Sequence, residues 1–89
     1  MRLDKWLKVS RVIKRRTIAN EVCDKEKITI NGRMAKASTE VKPTDIIEIS
    51  LGTRRTVIEI LKVPQGGNVT TQEAKELYKI VSADNLEED

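Results

Sequence analysis

The spacing of the apolar residues changes from helical to strand-like near residue 25, which restricts the chain to folds in which helices precede a sheet. Leu3, Trp6, Leu7 and Val9 or Ser10 recur at three-to-four spacing. They predict a short amphipathic helix from Arg2 to about Val9, with Arg2, Asp4, Lys5 and Lys8 on its other face. A second helical pattern, Ile18, Ala19, Val22 and Cys23, starts after Thr17, whose hydroxyl is placed to cap the first free N–H groups. Ile28-Thr29-Ile30 then alternates and runs into Asn31-Gly32, the dipeptide best suited to the positive φ angles of a two-residue hairpin turn. Ile46-Ile47-Glu48-Ile49 and Thr56-Val57-Ile58-Glu59-Ile60 are β-branched runs on either side of a turn at Leu51-Gly52-Thr53-Arg54-Arg55. Three or more short strands follow from this reading.

Pro64-Gln65-Gly66-Gly67-Asn68 breaks both periodicities, and a domain boundary is expected there. Residues 1–63 then form the core domain and 64–89 an acidic C-terminal extension. Within the extension, Ala74, Leu77, Tyr78 and Val81 share one face of a helix predicted from Thr71 to about Val81, followed by a frayed acidic tail.

The charge is unevenly spread along this small chain. The whole carries +3, but residues 1–33 hold ten basic and four acidic side chains, 34–63 five and four, and 64–89 two and six. A polyanionic partner is therefore expected at the N-terminal third. By composition alone, a run such as Lys14-Arg15-Arg16 reads equally as a solvated face. Cys23 is the single cysteine and histidine is absent, which excludes an intramolecular disulfide or a Cys/His zinc site within one chain. Cys23, at helical spacing from Ala19, is expected in the core. Asp4 is explained by the helix dipole and by surface pairing with Lys5 and Lys8. No apolar run approaches the roughly 18 residues that span a bilayer, and the expected location is the cytoplasm.

The order of these signals carries a family resemblance. Arg2-Leu3-Asp4-Lys5-Trp6-Leu7, Ser10-Arg11, Arg15-Arg16, Ala19 and Cys23, then Ile30-Asn31-Gly32 and Val41-Lys42-Pro43-Thr44-Asp45, closely resemble the S4-type RNA-binding domain from Arg2 to about Ile60. The resemblance implies an α+β fold, the S4-type αL module of two short N-terminal helices packed on a small bent sheet, here with a C-terminal helical appendage. Among members of the family, the chain is most similar to small bacterial ribosome-associated proteins that act in quality control on obstructed large subunits. That similarity implies contacts with large-subunit rRNA and peptidyl-tRNA, other quality-control factors on the same subunit, and support of alanine tailing. It also implies no cofactor, no metal, no catalysis, and a monomer off the ribosome. A heat-shock type of ribosome recycling factor, or a protein-interaction module using the acidic tail, are the alternatives.

The family match puts Arg2, Lys5, Arg11, Lys14, Arg15 and Arg16 on the RNA-facing surface. Arg2 and Arg16 stand out because they bracket the two helices and an arginine fork holds a phosphate bidentately. Ser10, Asn31, Gly32 and Lys36 join them as candidates through a hairpin tip beside the helices. Trp6 and Tyr78 are the only aromatic residues. The stacking platforms of single-strand binders are thus missing, and recognition by helix shape, phosphates and 2′-hydroxyls is expected.

Overall fold

A computed structural model describes residues 1–66 and 68–85 of the chain. Helix α1 (Leu3–Val9) starts where Arg2 adopts extended backbone. Two of its first N–H groups, which have no partner inside the helix, donate to loop carbonyls: Leu3 to Thr39 at 2.8 Å and Asp4 to Ala37 at 3.1 Å. The chain then turns through Arg11, whose φ of 62° is left-handed. Buried Ile13 follows, donating its N–H to the Leu7 carbonyl at 3.1 Å.

Helix α2 (Arg16–Asp24) begins before the residue expected to cap it. Arg15 occupies the N-cap position without a side-chain cap, and Thr17 lies inside the first turn. The contact made at this end is instead an ion pair from Arg16 to Asp4 of α1. At the other end the helix closes in a Schellman motif. Glu26, left-handed at φ 60°, donates its N–H to Cys23, and Lys27 donates to Val22. Cys23 is buried as expected, and burial pushes its thiol up to about 11.

Among the described residues five strands follow: β1 (Ile28–Ile30), β2 (Arg33–Met34), β3 (Ile46–Leu51), β4 (Arg54–Ile60) and β5 (Tyr78–Asn85). They make one antiparallel sheet in the order β2-β1-β3-β4-β5. Asn31 and Gly32, at φ 52° and 82°, close the predicted two-residue hairpin between Ile30 and Arg33. The register puts Ile30, Ile47, Ile58 and Ile80 in one row across β1, β3, β4 and β5. The first three of that row join Leu3, Trp6 and Leu7 of α1 in the apolar core. Trp6 is fully buried, and its indole N–H donates to the Lys62 carbonyl at 3.1 Å.

The C-terminal helix is shorter than its apolar spacing predicts. Helix α3 (Thr71–Lys75) is opened by a capping box, in which Thr70 accepts from the Glu73 N–H at 3.1 Å and Glu73 accepts from the Thr70 N–H at 3.3 Å. The chain then becomes β5, not the second half of a helix. Tyr78, Ile80 and Val81 favour extended backbone, and the edge of β4 pairs with the segment from Tyr78 to Asn85 on either side of one register shift. Leu77 still reaches the core, whereas Val81 falls at a register shift and is exposed. Residue 67 of the predicted breaker and residues 86–89 of the expected frayed tail lie outside the described residues.

Candidate nucleic-acid interface

Asp4 organises the basic face. Its carboxylate is 2% exposed, although it belongs to a helix surface expected to be solvated. Arg2 donates to both its oxygens, Nε to Oδ1 at 3.2 Å and Nη2 to Oδ2 at 3.4 Å. Arg16 Nε and Asn20 Nδ2, both from α2, reach Oδ2 at 3.4 Å, and the Lys5 backbone N–H reaches Oδ1 at 2.8 Å. Burial alone would push this carboxyl up. The Asn20 amide, the Arg16 guanidinium, the Lys5 N–H and Arg2 outweigh that effect and hold it below the ordinary carboxylate value.

The two arginines remain about half exposed, at 51% and 49%. Each therefore has a fixed root and a solvent-facing fork with N–H groups that Asp4 does not use. One buried anion also offsets the repulsion between two guanidinium groups held close together. The surface here is a shallow hollow of about 430 Å³ lined by Arg2, Asp4, Arg16, Thr17 and Asn20. A second hollow of about 390 Å³ shares Arg2 and Asn20 and extends to Lys36, with Asp24 and Glu26 also in its lining. The structure thus brings Arg2, Arg16 and Lys36 onto one continuous surface.

The other sequence candidates fall elsewhere. Arg15 is exposed at the start of α2, and Lys5 is half-buried beside Asp4. Arg11 and Lys14 border a separate hollow of about 140 Å³ together with Lys8. Lys8 is absent from the sequence candidates, although its three-residue spacing from Arg11 was a usable signal. Ser10 is only 1% exposed; its hydroxyl donates to the Leu7 carbonyl at 3.2 Å and accepts the Val12 N–H at 3.4 Å. Its side chain therefore braces the α1–α2 turn and is not presented at the surface. Asn31 donates to Asp45 Oδ1 at 3.0 Å and accepts the Ile46 N–H at 3.0 Å, which ties the hairpin tip to β3. Neither Asn31 nor Gly32 lines the two hollows around Arg2.

Two short N-terminal helices packed on a small antiparallel sheet make the S4-domain fold, and the S4 domain family pattern matches residues 1–47. The chain is 44% identical over 88 residues to the RQC P-site tRNA stabilizing factor of Streptococcus pneumoniae, covering 99% of this chain and 98% of the relative. It is 50% identical over 80 residues to the protein of the same name from Halalkalibacterium halodurans, covering 90% of this chain and 89% of the relative. The chain belongs to this family of S4-domain factors. The solved structure of Vibrio cholerae heat shock protein 15, described as trimeric, is 32% identical with a TM-score of 0.80, covering 92% of this chain and 82% of that one.

Proposed function

We propose that this protein is a non-catalytic RNA-binding factor of translation that stabilises P-site tRNA on obstructed large ribosomal subunits in ribosome-associated quality control. On this reading it contacts large-subunit rRNA and peptidyl-tRNA, works beside other quality-control factors, and supports alanine tailing of the stalled chain. It is cytoplasmic, ribosome-associated, and a monomer off the ribosome. The observation that carries the reading is the Asp4 carboxylate, which roots Arg2 and Arg16 while leaving both about half exposed. Preorganised guanidinium groups lose little freedom on meeting a phosphate, and each phosphate they neutralise releases counterions. The names of the relatives support the tRNA assignment.

A heat-shock type of recycling factor is the second reading, favoured by the fold similarity to the Vibrio protein. The identities favour the first: 44% to the Streptococcus factor against 32% to the heat shock protein. The test is sedimentation with large subunits that carry peptidyl-tRNA and with empty ones. The proposed function requires enrichment on the obstructed subunits and its loss in folded Arg2→Ala and Arg16→Ala variants. Equal binding to both subunit types would favour recycling, and no binding to either would remove both readings.

A further inference from the structure

The apolar face of the sheet extends beyond the helices that cover it. Ile49 and Ile58 are buried, but Leu51, two residues further along β3 on the same face, is 43% exposed, and Ile80, the β5 partner of Ile58, is 59% exposed. Between them lies a groove of about 200 Å³ whose lining includes buried Ile49 and Ile58, Leu51, Thr56, Tyr78 and Ile80, together with Arg11. The Tyr78 ring is set in place by an edge contact with buried Trp6, with centroids 6.4 Å apart and an interplanar angle of 76°.

Arg11 also borders the small hollow that it shares with Lys8 and Lys14. Its left-handed backbone, unusual for a residue other than glycine, is held by its N–H bond to the Lys8 carbonyl at 3.0 Å. One strained arginine thus separates a three-cation hollow from an apolar groove. Three cations around a small concavity suit a phosphate, and a largely apolar groove beside them suits an uncharged heteroaromatic ring.

We infer that this pair of depressions holds one unstacked nucleotide, with its phosphate among Lys8, Arg11 and Lys14 and its base in the groove between Leu51 and Ile80. The inference rests on the RNA-binding reading above and adds a base contact to it. A base inside a duplex cannot enter the groove, so the nucleotide belongs to a loop, a bulge or a strand end. An acidic peptide with an apolar side chain has a related chemistry. RNA is favoured because Lys14, Arg15 and Arg16 lead from this hollow to the Asp4-rooted arginines without an intervening acidic residue. Tyr78 then supplies the aromatic contact that the sequence lacks near its basic motif.

Two measurements on the full chain test this. In NMR titrations, ribose 5-phosphate should shift Lys8, Arg11 and Lys14 alone, whereas adenosine monophosphate should also shift Tyr78, Ile80 and Leu51. The same pattern for both probes, or shifts at the groove only with an acidic leucine-containing peptide, would overturn the base site. In binding to large subunits carrying tRNA, Ile80→Gln should weaken affinity about fivefold or more with an unchanged salt slope. Lys8→Ala should lower the salt slope by about one. If Ile80→Gln binds like the wild type while Arg2→Ala is impaired, the nucleotide site falls and the RNA-binding reading stands. If the wild type binds no RNA, both fall.

Discussion

Arg16 Nε donates to Asp4 Oδ2 at 3.4 Å across twelve residues of sequence, and this contact ties the first turn of α2 to the first turn of α1. Because Arg2 holds the same carboxylate through both of its oxygens, the two arginines form one unit. Their shared root is buried and their forks are not, so loss of the root should affect binding and stability together.

Asp4→Asn keeps the shape and removes the charge. Since the arginines are half exposed and screened by water, the stability loss should be about 1–2 kcal/mol, below the cost of breaking a fully buried pair. Urea denaturation measures it. RNA affinity of the folded variant should fall as well, because both forks lose their fixed position.

The pH dependence has a definite sign. The folded Asp4 carboxyl titrates below its ordinary value of 3.8, so the unfolded chain takes up that proton first as pH falls. The stabilisation is complete above 3.8 and is lost as pH drops through the lower folded value. Glu48, held down by its hydrogen bond from Arg55, adds to the same trend. Acid titration of stability should therefore be steeper for the wild type than for Asp4→Asn.

The hairpin tip is a structural device. Gly32→Val places a β-branched residue at φ 82° and should cost about 1–2 kcal/mol, with a similar loss for Asn31→Ala, which strips two hydrogen bonds from the Asp45–Ile46 segment. For a domain of this size each kcal/mol lowers Tm by about 4–8 °C, readable by thermal melting. RNA affinity measured well below Tm should change less for these variants than for Arg2→Ala.

Local chemistry made part of this fold legible in the sequence. Asn31-Gly32 announces its own turn, the isoleucine alternation sets the register of β1, β3 and β4, and the spacing of Leu3, Trp6 and Leu7 marks the buried face of α1. Features set by a distant partner leave no local signal. Asp4 is a surface acid when only its own helix is considered, and its burial depends on α2 closing over it. Ala74, Leu77 and Tyr78 satisfy a helical stripe and a helix-to-strand switch equally well, and only the free edge of β4 decides between them. Ser10 is polar and lies in the basic motif, yet its hydroxyl is consumed inside the turn.

The C-terminal segment should therefore be required for folding. Removing residues 64–89 uncovers the β4 edge and deletes Leu77 and the Tyr78 ring against Trp6. Burial of Leu77 alone contributes about 1.5–3 kcal/mol. The truncated chain should show red-shifted fluorescence from Trp6 and a broadened or absent unfolding transition; a native-like spectrum would mean that β5 adds little to the core.

The most direct test of the Asp4-rooted arginine pair is the slope of log affinity against log salt for tRNA-bearing large subunits. Each arginine that meets a phosphate contributes about 0.7–0.9 to that slope. Folded Arg2→Ala and Arg16→Ala should each lower it by about that amount, and the double variant by about twice as much. Slopes equal to the wild type in both single variants and in the double variant would contradict the account.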